Sequence, residues 1–295
     1  MTIANERLNA SAAALMFLTA VLWGGNSVSI KIALDGMPPI ALAGVRFAIG
    51  GGVVLIWAVV NRIPISLSRH DRHGLGLLAL VFLVQILLLN EGTHRTLASR
   101  STLLISTYPF FTALFAHLVI PGDRLTGVKV AGMLLSLVGV VLMFVENLQI
   151  REVSHLAGDL LVLASAVLLG ARQVYTKRLT ANIHPCKLLV WQAAFSLPVF
   201  AVLSAWLESE ATYRITPQVA GAVAYQGFVI AGFCFLVFVT LLRRYRASRL
   251  GVFGFFTPIF GVLASDLLLG ERLSPLLVGS MLLVGAGIAI VNWQE

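Results

Sequence analysis

Long apolar runs separated by short polar turns cover almost the whole chain. A bilayer-spanning helix needs about 20 mostly apolar residues. Ten segments fit that pattern, near Ala12–Leu34, Ile40–Val60, Gly74–Thr93, Ser101–Ile120, Val128–Val145, Leu156–Thr176, Leu188–Leu207, Val219–Leu242, Leu250–Leu269 and Leu276–Trp293. The pattern predicts an all-α integral membrane protein, a bundle of ten transmembrane helices joined by short loops. The first run lacks a convincing small-x-small cleavage site and reads as a spanning helix, not a removed leader.

The runs repeat themselves. Thr19 to Pro39, TAVLWGGNSVSIKIALDGMPP, returns altered as Ser165 to Pro185, SAVLLGARQVYTKRLTANIHP. At a shift of 146 positions, Ala20, Val21, Leu22 and Gly24 meet Ala166, Val167, Leu168 and Gly170, and Val28, Lys31 and Pro39 meet Val174, Lys177 and Pro185. Further on, Ala98-Ser99-Arg100 meets Ala247-Ser248-Arg249, Pro109 meets Pro258, and Asp123-Arg124-Leu125 meets Glu271-Arg272-Leu273. The chain thus divides into residues 1–147 and 148–295, each with five helices. An odd number of helices sends the second copy into the membrane from the opposite side. Such inverted repeats are common in secondary transporters, with the substrate site between the copies.

Composition and charge narrow the class. The chain is 58% hydrophobic and 12% charged, with mean hydropathy +0.92; soluble domains are about 25% charged. The net charge of +8 is explained by basic cytoplasmic loops, and no basic, aromatic-laced module for nucleic acid is present. With the N-terminus inside, the inner segments hold Arg7, Arg62, Arg69, Arg72, Arg124, Lys129, Lys177, Arg178, Lys187, Arg243, Arg244, Arg246 and Arg249. The outer loops hold Arg95, Arg100, Arg151, Arg214 and Arg272 diluted by Asp35, Glu146, Glu152, Glu208, Glu210 and Glu271. Both termini are therefore expected in the cytoplasm. Cys186 and Cys234 have no metal-ligand spacing, and disulfides concentrate in secreted folds; no metal or cofactor is expected.

Polar residues inside apolar helices usually face a cavity or another helix. In the first helix, Thr19, Trp23, Asn26 and Ser29 share a face; in the sixth, Ser165, Leu169, Arg172 and Tyr175 do. Arg172 can bind a carboxylate bidentately, or it can fix helix packing or reach the cytoplasmic edge. Arg46, matched by Gln192 in the second copy, reads as a gate or structural pairing residue. The third helix carries Gln85, Asn90, Glu91 and His94. Glu91 either relays a proton with His94 or pairs with Arg95, four residues on, which is the simpler reading. Asp159 and Asp266 read as helix-end groups. Pro109 and Pro258 each remove a helical hydrogen bond and disturb the carbonyl four residues earlier, Ile105 and Gly254. Gly251 and Gly254 loosen one helix, and Ser106 and Thr107 can re-satisfy backbone in the other, so the pair reads as a hinge or a static bend. Trp23, Tyr108, Phe110, Tyr175, Trp191, Tyr225, Phe228, Phe253 and Phe256 are aromatic candidates for a cavity wall, or packing and interface residues. Tyr225, Phe228 and Gly232 are expected on one side of the eighth helix. Helices 5 and 10, dotted with Gly127, Gly132, Gly139, Gly279, Gly285 and Gly287, suit close packing, at the periphery or in a dimer.

The signature AVLWGGN followed by Lys31, the segment STYPFFTALFAHLVIPGDRLT and the segment FFTPIFGVLASDLLLGERLSPLLVGSMLLVGAGIAIV together resemble the drug/metabolite transporter superfamily, in its EamA-type branch. The resemblance covers nearly the whole chain, and is nearest to amino-acid exporters of the YddG type. It departs in the second copy, where Leu169 stands against Trp23 and Arg172 against Asn26. It implies a bacterial inner-membrane exporter of amino acids, aromatic ones included, working by alternating access around a cavity lined by helices 1, 3, 4, 6, 8 and 9. The candidate substrate residues are Trp23, Asn26, Ser29, Gln85, Asn90, His94, Tyr108, Arg172, Tyr175, Tyr225 and Phe256. The candidate hinge is Pro109, Pro258 and Gly254. The runner-up is a broad exporter of drug-like cations or other metabolites, against which no acid is clearly placed at mid-membrane. An enzyme is disfavoured by the lack of HExxH, GxSxG or a His and Asp cluster. A channel would not saturate. The expected partners are a small-molecule substrate and the lipid bilayer, with no nucleic acid, in a monomer or homodimer.

Overall fold

The computed structural model describes residues 9–119, 125–150, 155–245, 250 and 252–293. Of the residues discussed above, Arg7, Asp123, Arg124, Arg151, Glu152, Arg246, Ala247, Ser248, Arg249 and Gly251 lie outside them, as does the side chain of Glu146. Among the described residues there is no strand. Ten helices follow in order: α1 Ala10–Leu34, α2 Pro39–Val60, α3 Arg69–Arg95, α4 Ala98–Val119 and α5 Gly127–Ile150. Then come α6 Leu156–Thr180, α7 Pro185–Leu207, α8 Pro217–Arg244, α9 Phe256–Leu269 and α10 Pro275–Trp293. Seven of these, α1–α4 and α6–α8, are long and apolar enough to cross a membrane, and the described apolar stretches of α5, α9 and α10 are shorter.

Local chemistry explains the ends. Proline opens α2, α7 and α8, where its missing N–H costs nothing. Asn9 and Thr216 accept backbone N–H groups at the starts of α1 and α8, at 2.8 and 3.2 Å. The apolar pattern alone starts α3 at Gly74, but Ser68 Oγ accepts the Asp71 N–H at 3.2 Å and draws the polar run from Arg69 into the helix.

Two helix starts are capped from a distance. The Glu208 carboxylate, just beyond α7, accepts the N–H groups of Ile40 (2.7 Å) and Ala41 (2.9 Å). Glu271, beyond α9, accepts those of Ala98 (2.7 Å) and Ser99 (2.9 Å). A carboxylate at a helix N-terminus also meets the positive end of the helix dipole. Lys31 Nζ does the converse at the end of α3, donating to the carbonyls of Thr93 (3.2 Å), His94 (3.0 Å) and Thr96 (2.6 Å).

The most intimate helix pairs are α5 with α10, α3 with α6, α1 with α9, and α2 with α7 and α8; α4 packs on α6 and α9. Every one joins the first five helices to the last five. Exchanging helix n with helix n+5 turns each pair into a pair that is also in contact: α1–α9 becomes α6–α4, α3–α6 becomes α8–α1 and α2–α8 becomes α7–α3. Glycines permit the closest crossings. A Cβ on Gly24 would lie 2.8 Å from Phe260 Cβ and 2.9 Å from the Gly261 nitrogen; one on Gly170 would lie 2.6 Å from Phe111 Cβ and 2.8 Å from the Thr112 nitrogen. These four partners correspond between the two copies, so the matched glycines of the repeat are explained by backbone-to-backbone contact.

The regular winding breaks at three places. In α4, Ser106 and Thr107 form a turn between Ala98–Ile105 and Tyr108–Val119, just before Pro109. Their hydroxyls donate to the Thr102 (2.7 Å) and Leu104 (2.6 Å) carbonyls. Ahead of α9 and Pro258 lies a 3₁₀ turn, Val252–Phe255. Within α8, Tyr225–Cys234 is wound as a π-helix, which no sequence signal announced.

Candidate functional site

A cavity lies where the two sets of five helices meet. Side chains from α1, α2, α3, α4, α6, α8 and α9 face it, and it encloses about 650 Å³ of atom-free space, its open mouth included. The break in α4 contributes Ser106 and Tyr108. The π-turn of α8 sets Gly227 against Ile49 of α2, where a Cβ would lie 2.7 Å from that side chain, and brings Gln226 to Arg46. π-turns widen a helix locally and recur at functional sites.

Two arginines dominate the cavity. Arg46 is 1% exposed and Arg172 6%. Arg46 Nη1 donates to Gln226 Oε1 at 2.6 Å, and its guanidinium lies 4.5 Å from the Phe47 ring centre. Arg172 lies 5.1 and 5.5 Å from the ring centres of Phe82 and Phe235. Aromatic faces attract a desolvated cation but give its N–H groups no strong acceptor. Arg46 Nε and Arg172 Nη1 have no protein acceptor, and neither do Asn26 Oδ1, Gln85 Oε1 and Gln226 Nε2 have a protein partner. Among the described residues no carboxylate lines the cavity. Removing a cation from water without an anion is costly, so the site is built to receive acceptors.

Five sequence candidates line this cavity: Trp23, Asn26, Gln85, Tyr108 and Arg172. The other six sit elsewhere. Ser29 Oγ donates to the Asn26 carbonyl (2.8 Å), and Asn90 Nδ2 to the Pro39 carbonyl (2.9 Å). His94 is exposed. Tyr175 donates to the Gly74 carbonyl (3.2 Å) and packs with Leu75, Leu78 and Leu188. Tyr225 donates to the Leu22 carbonyl (2.6 Å), and Phe256 meets Phe17 edge-on at 5.0 Å. Phe228 is 56% exposed and faces away from the protein, while Gly232 is buried, so the two do not share a face. Phe110 is in the apolar core, and Trp191 Nε1 donates to the Ile65 carbonyl at 2.7 Å.

The remaining charged candidates resolve individually. Glu91 accepts from Arg95 Nε at 2.6 Å, the simpler of its two readings. Asp159 is not a loose helix-end group: it is fully buried against Arg100, Nη2 to Oδ2 2.8 Å, and accepts from Thr96 Oγ1 at 2.6 Å. Arg46 pairs with buried Gln226, the structural half of its reading. The signals for Arg46 and Gln226 existed, as polar residues within apolar runs, but nothing in the spacing paired them. Gln173 and Thr257 also line the cavity and were not singled out. A smaller recess, lined by Thr176, Gln192 and Leu188, shares Arg172, Gln173 and Phe235 with the cavity, so Arg172 stands between the two. Among the described residues no three His, Cys, Asp or Glu side chains converge on a metal site, and both cysteines are free and buried.

An all-helical bundle whose two halves meet around an open, largely apolar cavity carrying a few buried polar groups has the make-up of a membrane transporter. The EamA-like transporter family model matches residues 10–145 and again 156–293, so the chain belongs to the EamA-like transporter family and is a multi-pass membrane protein. It is 29% identical over 293 residues to a probable amino-acid metabolite efflux pump of Escherichia coli (strain K12), covering 95% of this chain and 96% of that one. A probable amino-acid metabolite efflux pump of Salmonella typhimurium is 26% identical, over 94% of this chain and 93% of that one. An S-adenosylmethionine/S-adenosylhomocysteine transporter of Chlamydia muridarum is 23% identical, over 100% and 96%. A protein of known crystal structure shares the fold at a TM-score of 0.74 with 20% identity, over 98% of this chain and 100% of that one.

Proposed function

We propose that this chain exports amino acids and related small metabolites across a bacterial inner membrane by alternating access. In this reading all ten helices span the bilayer, residues 1–147 and 148–295 are inverted repeats, and both termini are cytoplasmic. The observation that carries the substrate class is Arg172, buried in the cavity with Nη1 facing no protein acceptor. A carboxylate there would form a charge-assisted pair in a site screened from water. Trp23 and Tyr108 supply apolar wall, and Asn26 and Gln85 supply polar contacts. The breaks before Pro109 and Pro258, with Gly254 in the turn leading into α9, give both halves a bending point for the change of access. The absence of lining carboxylates among the described residues weighs against a cation exporter.

Counterflow tests the proposal. Purified protein is reconstituted in liposomes loaded with labelled threonine or tryptophan, and exchange is measured against a panel of unlabelled solutes. Saturable exchange with amino acids is the expected result. Exchange only with cationic drugs or phosphorylated sugars would retain the transporter and replace the substrate, and non-saturating flux would point to a channel.

A further inference from the structure

One guanidinium suffices to hold an α-carboxylate, yet the cavity contains two. Arg46 is almost wholly buried and comes from α2, whereas Arg172 comes from α6, and both line the cavity where the halves meet. Gln226 satisfies one of its N–H groups and Phe47 covers one face, but Nε has no protein acceptor. Gln226 is itself a neutral amide and leaves the charge uncompensated. Asn26 and Gln85, which also line the cavity, each have a buried side-chain oxygen with no protein donor. The cavity therefore holds two cationic forks and, beside them, amide oxygens able to accept N–H groups. The smaller recess that shares Arg172 adds Gln192 and Thr176 and, among the described residues, again no carboxylate.

We propose that the cavity selects solutes of net negative charge, acidic amino acids above all: the α-carboxylate on Arg172, the ammonium on the Asn26 and Gln85 oxygens, and a second carboxylate on Arg46. The proposal rests on the amino-acid transport reading above. Charge arithmetic supports it. A zwitterion brings one positive and one negative charge and leaves both guanidiniums' net charge buried. An acidic amino acid adds a net negative charge and gives each fork its own carboxylate. A basic amino acid adds a third uncompensated cation. In a water-poor cavity such differences weigh more than in solution, and electrostatic complementarity acts chiefly on the choice of partner.

Glutamate and glutamine are nearly isosteric and differ by this charge, so they form the test. Labelled glutamate and labelled glutamine are compared in counterflow with the full-length protein in liposomes. The expected result is a preference for glutamate of about tenfold or more, a gap of about 1.4 kcal/mol. Arg46→Gln should bring the ratio close to one by lowering glutamate exchange far more than glutamine exchange, and Arg46→Lys, which keeps the charge, should preserve a preference for glutamate. A merely structural Arg46, bracing α8 through Gln226, would lower both fluxes and leave the ratio unchanged, which would overturn the proposal. Equal or better exchange of glutamine by the unmodified protein would overturn it too, and that comparison decides the matter if Arg46→Gln does not fold. Exchange of threonine or tryptophan without glutamate would sink this inference and keep the export of amino acids. No exchange with any amino acid would sink the export reading itself.

Discussion

Arg100 and Arg172 are both buried arginines, 4% and 6% exposed, in opposite surroundings. Arg100 opens α4 against Asp159 of α6, with Nε and Nη2 both on the carboxylate at 3.1 and 2.8 Å. Around it, Glu271 caps α4, Lys31 closes the end of α3 and Thr96 supports Asp159. That end of the bundle compensates its charges internally and across the two halves. Arg172, near the middle, faces aromatic rings and amides. Paired charge at the junction of helices fixes a structure; unpaired charge in a cavity leaves room for a ligand to complete it. Both come from the same residue type, so the surroundings, not the arginine, define the role.

Substitutions can break that contrast. The largest effect is expected at the internally paired end: Asp159→Ala removes one partner of the buried Arg100–Asp159 pair, which costs about 3–5 kcal/mol. Thermal unfolding in detergent should show it as a marked loss of Tm, and a Tm near that of the unmodified protein would mean the pair contributes little. Arg172→Gln should do the reverse. Losing a charge-assisted contact of about 1.5–3 kcal/mol raises the apparent KM for export roughly 10- to 100-fold, with Tm unchanged or higher, since a buried cation without an acceptor has gone. A fall in Tm like that of Asp159→Ala, with unchanged KM, would return Arg172 to a packing role. The smallest effect is expected for Glu91→Gln. The Glu91–Arg95 pair is half-exposed, where such pairs contribute about 0–1 kcal/mol; stability and export should both hold. Loss of export there, and of its pH dependence, would instead revive Glu91 as a proton carrier.

The ten-helix pattern, the duplication and the matched Gly24 and Gly170 were legible because each is a property of local order. Apolar length marks a helix, proline marks its start or its break, and a glycine that must sit under a crossing backbone is kept in both copies. The ends of helices were less legible where side chains acted from afar, as Glu208 and Glu271 do. The cavity was legible in part. Trp23, Asn26, Gln85, Tyr108 and Arg172 stood out as polar or aromatic positions on apolar helices and do line it. Ser29, Asn90, Tyr175 and Tyr225 looked the same in the sequence, yet their side chains donate to backbone carbonyls.

What separates the two groups is the crossing of helices that lie far apart in the chain. Arg46 and Gln226 meet across 180 residues, and Gln85 and Ser165 across 80. A periodic pattern records which face of a helix is polar but not which neighbour that face meets, nor that α8 widens into a π-turn or that Phe228 faces outward. The sequence by itself determined the helices and their twofold plan, because burial in lipid acts on each segment separately. Which polar groups are spent on backbone and which stay available to a solute was decided only when the two halves packed, because hydrogen-bond satisfaction depends on distances of a few ångströms between segments.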